Sequence, residues 1–105
     1  MNWQRGGDID GLSRQGCAPF PYDRIVEVFG KPDETPWSDE SAFTWSITFD
    51  DGTVASLYDY KASSLYDERL PSPEQMKRDF RDWSIGGKGW PAVDLVIRAL
   101  SWWSH

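Results

Sequence analysis

In Phe43-Thr44-Trp45-Ser46-Ile47-Thr48-Phe49 every odd position is large and apolar and every even one is small and hydroxylated. A period of two with one apolar face predicts a strand over about residues 43–49. Asp51-Gly52 follows, with residues suited to positive φ, and a second strand over 53–60 is expected to return as a hairpin. A two-residue loop would set Phe49 opposite Val54, Ile47 opposite Ser56, Trp45 opposite Tyr58 and Phe43 opposite Tyr60. A slip of one residue would set them against Thr53, Ala55, Leu57 and Asp59. Cross-strand aromatic pairs contribute up to about 1 kcal/mol each, which favours the first register. A three-residue loop with a glycine bulge is the alternative.

The period changes on either side. In PFPYDRIVEVFGKPDE, Ile25, Val28 and Phe29 share one face of a helix over about 21–29, opened at Pro21, capped by Gly30 and stopped by Pro32. In SPEQMKRDF, Ser72, Pro73 and Gln75 form a capping-box start to a short helix over about 73–80, with Met76 and Phe80 on one side. RDWSIGG reads as a third strand, about 82–86, with Trp83 and Ile85 inward. WPAVDLVIRALSWW reads as a helix over about 91–103, whose polar positions Asp94, Arg98 and Ser101 make one narrow stripe. A helix so widely apolar needs a neighbour on its flank, which the first helix can supply; otherwise Leu95 and Trp102 belong to a docking or dimer surface. The expected class is therefore α+β: a three-stranded antiparallel sheet packed by two helices and a shorter third. Residues 1–18, with four glycines and little periodicity, read as an irregular arm, and 19–105 as a single domain.

At 105 residues the chain suits one core, and with 15% aromatic residues, seven of them Trp, that core should be aromatic. Cys17 has no second cysteine to pair with, and no stretch is long and apolar enough to suggest a signal peptide or membrane span, so a reducing cytosol is expected. Charge is unevenly placed. Residues 1–60 balance to −7 and residues 61–105 to +1, so the net −6 lies in the first part. Such a chain is a poor binder of nucleic-acid backbone and a better one for a protein, particularly a basic one.

Candidate chemistry is sparse. His105 lies outside the predicted elements, and Cys17 has no structured histidine to activate it. The pairs Asp33/Glu34, Asp39/Glu40 and Asp50/Asp51 fall in a connector and a turn, with too few converging oxygens for a hard cation. GGKGW, residues 86–90, precedes a helix but lacks phosphate-loop spacing. No catalytic group, metal site or cofactor is assigned.

VFGKPD, then WSITFDDGTVASLYDYK, then WSIGG before an apolar helix resembles a family of small uncharacterised proteins of tailed bacteriophages and prophages. The pattern is close to WxIxFDDGTVAx[IL]YDYK followed by WxIGG. It spans about residues 25–100; the stretch 64–80 is longer than the family's usual connector, and 1–18 has no counterpart. The order helix, GKP, hairpin also has a distant likeness to bacterial inhibitor and lipoprotein-assembly domains. The resemblance implies a phage protein acting in the bacterial host cytoplasm by binding and inhibiting a host defence protein, in the manner of anti-CRISPR proteins, without catalysis. Its partner surface would be the acids Asp33, Glu34, Asp39, Glu40, Asp50 and Asp51, or the helix flank at Leu95 and Trp102, with a homodimer as one use of that flank. The alternatives are a nucleotide-binding module, with Trp45, Tyr58, Tyr60 and Trp83 stacking a base, and a phage assembly protein.

Overall fold

Secondary structure follows the apolar periodicity wherever a segment has enough of it to read. The computed structural model describes residues 2–37 and 40–102, the side chain of Trp102 excepted. In chain order the elements are β1 (Trp3–Arg5), β2 (Ser13–Ala18), α1 (Tyr22–Phe29), β3 (Thr44–Phe49), β4 (Val54–Tyr58), α2 (Pro73–Asp79), β5 (Trp83–Gly87) and α3 (Trp90–Trp102). The class is α+β. Every strand pairing is antiparallel, in the order β1-β3-β4-β5-β2.

The sheet has five strands where three were expected, and both additions come from residues 1–18, which are not an irregular arm. β1 pairs with β3, Trp3 opposite Phe49, and β2 pairs with β5, Ala18 opposite Trp83. β1 is only WQR, and β2 (SRQGCA) is mostly exposed and shifts register between Arg14 and Gly16. Such edge strands are held by hydrogen bonds to a partner already in place, not by an alternating face of their own, so they leave no periodicity to read.

The hairpin register also differs from the favoured one. Trp45 lies opposite Leu57, Ile47 opposite Ala55 and Thr48 opposite Val54. The loop has three residues: Gly52 N–H donates to the Phe49 carbonyl and Phe49 N–H to the Thr53 carbonyl, both at 2.9 Å, and Gly52 sits at φ +91°. This is the glycine-bulge alternative. The other register would have carried the Tyr58 hydroxyl into the helix-covered core. Removing a hydroxyl from water without a partner costs about 1–3 kcal/mol, more than an aromatic pair returns.

All three helices cover one face. Trp45 and Trp83 meet there edge to face at 5.3 Å, both fully buried, and their indole N–H groups donate to the carbonyls of Gly30 and Phe20 at 3.0 Å. Thus each Trp buries its ring without orphaning its donor. α1 adds Ile25, Val28 and Phe29 to this core, and α2, opened by the expected Ser72–Gln75 capping box, adds Met76. α3 contributes Ala92, Val93, Val96, Ala99 and Leu100. Its breadth of apolar surface is taken up largely inside the fold: α1 packs beside it, Arg24 Nε donates to the Leu100 carbonyl at 2.8 Å, and Leu95 and Ile97 are half-buried against the core. No helix among the described residues is long and apolar enough to cross a membrane.

The opposite face is crossed by the chain itself. β1 and β2 occupy opposite edges, so residues 6–12 must pass over four inter-strand spacings, about 19 Å. Seven extended residues reach roughly 25 Å, which leaves little slack. The crossing begins where the Thr48 hydroxyl donates to the Gly6 carbonyl at 2.8 Å. A Cβ on Gly7, at φ +140°, would lie 2.5 Å from Thr48 Oγ1, so the strap rests directly on the sheet. It turns once, with Leu12 N–H on the Ile9 carbonyl, before entering β2.

Three substitutions test this arrangement. Trp45→Ala should cost about 3–5 kcal/mol, much of the stability of a domain this size. Gly52→Val should lower the midpoint as well, because a β-branched residue resists φ +91°, while Gly52→Asn should lower it less. Urea unfolding monitored by circular dichroism reads all three; a Trp45→Ala midpoint near wild type would show that the core is not centred on this residue.

Candidate binding site

Even positions of β3 and β4 point to the strapped face, and there the strap and the connector before β3 close a hollow of about 340 Å³. Its walls are Ile9 and Leu12 from the strap, Arg14 from β2, Trp37 and Ser41 from the connector, and Ser56, Tyr58 and Tyr60 from β4 and its continuation. The rings form a connected set. Trp37 meets Tyr58 edge to face at 5.3 Å, and Tyr58 meets Tyr60 at 6.4 Å. Trp37 and Tyr60 are partly open to solvent, 38% and 50% exposed.

Three polar features line the same space. Arg14 Nε donates to Ser84 Oγ at 3.2 Å, which anchors the guanidinium base on β5. Burial pushes the Tyr58 phenol above its ordinary pKa, against a smaller downward pull from Arg14, so its hydroxyl stays protonated at neutral pH. Ser41 is 1% exposed, and its hydroxyl has no hydrogen-bond partner among the described residues. Buried hydroxyls are nearly always satisfied, and Ser41 is one of the residues that line the hollow.

Asp59 holds the connector in place. It is fully buried, and its carboxylate accepts the N–H groups of Ala42 at 3.0 Å and Phe43 at 2.7 Å, next to Ser41. Burial raises its pKa above the usual carboxylate value, partly offset by those N–H bonds. Two residues on, at Lys61, the backbone takes φ +55°, the Lys61 N–H reaches the Glu40 carbonyl at 3.0 Å, and its ammonium lies over the rings of Tyr60 and Tyr66.

The acids expected at a partner surface do not form one face. Asp33 is engaged inside the fold: its carboxylate pairs with Arg5 at 2.9 Å and accepts the Thr44 hydroxyl at 3.0 Å, while Arg5 also donates to the Phe29 and Lys31 carbonyls. Glu34 is exposed beside it, and Glu40 is half-buried near Lys61. Asp50 and Asp51 are exposed at the hairpin tip, about 17 Å away along β3, where Asp50 accepts Asn2 N–H and Asp51 accepts Thr53 N–H. The Thr53 bonds hold the Asp51 carboxyl below its usual pKa. Asp39 and the Trp102 side chain lie outside the described residues, and Leu95 is half-buried. Of the rings expected to stack a base, Tyr58 and Tyr60 line the hollow, whereas Trp45 and Trp83 are in the core on the other face. Sequence reasoning missed Arg14, Trp37 and Ser41. A lone Trp in an otherwise polar connector was the available signal for Trp37.

No protein-family model matches the chain, and no curated protein matches it.

Asp59 predicts a pH dependence. With its folded pKa raised, the folded state keeps its proton where the unfolded chain, near pH 4, has released it. The stability it contributes is therefore fullest below about pH 4 and falls as pH rises through the raised value. Asp59→Asn has no such group, so wild type should lose more melting temperature than the variant between pH 4 and pH 7. Equal losses would show that the Asp59 pKa is not raised.

Proposed function

We propose that the protein is a small-ligand-binding module and that its ligand, a planar aromatic compound with a hydrogen-bonding edge, occupies the hollow beneath the strap. The unpartnered Ser41 hydroxyl in a lining of three aromatic rings carries this reading. A closed core would have no reason to gather Trp37, Tyr58 and Tyr60 on the face away from the helices, or to leave a buried hydroxyl without an acceptor or donor. The hollow is at the small end of ligand sites, roughly 300–1,000 Å³, so it takes a molecule and not a polymer.

Inhibition of a host defence protein, implied by the phage-like hairpin motif, is the second reading, and one observation favours it. Trp37, Tyr60, Leu65 and Tyr66 are exposed, and Tyr66 shares the Lys61 ammonium with Tyr60, so an apolar rim continues outward from the hollow. A protein partner seated on that rim would be sensitive to Leu65→Asp and Tyr66→Ala.

Thermal melting against purine and pyrimidine nucleosides, indoles and pteridines tests the first reading. A ligand at a hundredfold excess over its Kd should raise Tm by roughly 10 °C. Tyr60→Ala and Trp37→Ala, both at exposed rings, should melt near wild type and lose that shift. If no compound raises Tm, or if the variants respond as wild type does, the hollow is not a ligand site.

A further inference from the structure

The lining of the hollow differs in charge from that of the hollow beside it. The chain carries a net −6, yet among the described residues the hollow is lined by one arginine and no aspartate or glutamate. The neighbouring hollow on the other side of the strap, also about 340 Å³, shows the contrast: it has Asp8 with Lys88, and no aromatic ring among its lining residues. Arg14 spends its Nε on Ser84, which fixes the plane of the guanidinium and leaves its terminal N–H groups for an anion. Lys61, held over Tyr60, puts a second cation behind the rim.

We infer that the ligand is a nucleoside monophosphate, with its base among Trp37, Tyr58 and Tyr60, its phosphate at Arg14, and a ring-edge or sugar hydroxyl group satisfying Ser41. This rests on the reading of the hollow as a ligand site and adds the charge and class of what fills it. A neutral aromatic would leave Arg14 without a role. Inorganic phosphate would leave three rings without one. Base stacking on aromatic side chains contributes about 1–3 kcal/mol per base and tolerates any base, so the rings select the class, while Ser41 and Ser56 are placed to choose within it. A single-stranded nucleic acid makes the same ring contacts, but the net negative charge repels a polyanion that a single phosphate at one arginine does not resemble.

Titration of the whole chain, followed by tryptophan fluorescence at low salt, tests the inference with three probe sets: the nucleoside 5′-monophosphates, the matching nucleosides, and inorganic phosphate. At least one monophosphate should bind about tenfold or more tighter than its nucleoside, and the difference should shrink as salt rises. Arg14→Gln should bring monophosphate binding down to the level of the nucleoside, Arg14→Lys should restore part of the difference, and Tyr60→Ala should weaken both. Equal binding of nucleoside and monophosphate in wild type, or an unchanged preference in Arg14→Gln, overturns the phosphate assignment while the hollow remains an aromatic-ligand site. Phosphate competing as well as the monophosphate overturns the nucleotide class. Failure of every nucleoside and nucleotide, with an indole or pteridine still binding in a Tyr60-dependent way, overturns this inference alone; failure of every planar compound overturns the ligand site with it.

Discussion

One choice of register, made at the turn Asp50-Asp51-Gly52, sets which side chains lie on each face of the sheet. Gly52 at φ +91° permits a three-residue loop, and that loop puts Ala55 and Leu57 beside Trp45 and Ile47. A two-residue loop would exchange every side chain of β4 between faces. The observed pairing gives α1 and α3 a dry surface of fully buried residues to pack on. The same pairing sends Ser56 and Tyr58 to the other face, where the hollow forms.

The two faces solve the problem of burying polar groups differently. Under the helices the polar atoms of large side chains are satisfied at the edges of the core, as when the indoles of Trp45 and Trp83 reach the carbonyls of Gly30 and Phe20. Across the sheet, hydroxylated positions are covered by backbone: the strap leans on Thr48, and the connector is pinned through Asp59 to the N–H groups of Ala42 and Phe43. A buried carboxylate serving two N–H donors fixes loop geometry closely, because losing it would orphan both. Ser41 sits next to this anchor and stays unsatisfied. The face is thus built rigidly around one group whose hydrogen bond is still open.

Charge follows the same division. Asp33 is used to tie β1, the end of α1 and β3 together through Arg5, and Asp51 closes its own turn. Asp33 and Asp51 thus act within the fold, and the two acidic groups are a strand length apart. Arg14 is directed at a concave surface among rings, with no carboxylate among the described residues of that lining. Such a surface suits a small aromatic anion, and the exposed rim of Trp37, Tyr60 and Tyr66 leaves room for a larger partner beside it.

What the sequence determined by itself was whatever each segment specifies locally. The alternation of 43–49, the i, i+3, i+4 spacing of Ile25, Val28 and Phe29, the Ser72–Gln75 box and the apolar run of α3 specify their elements before any contact forms, and each element lies within two residues of its expected place. The α+β class and the aromatic core follow from these. Tertiary structure alone decided the rest. β1 and β2 are strands because edges of a sheet were there to pair with, and their own residues have no face to declare it. The register turned on a difference of about 1 kcal/mol between pairing aromatics and keeping a phenol out of the core, finer than pattern can resolve. The hollow joins residues from 9 to 60 that become neighbours only once the strap crosses the sheet, so Tyr58 and Tyr60 could be suspected from their chemistry and Trp37 from its place in a polar connector, but not Arg14 and Ser41, which carry no signal until the chain brings them together.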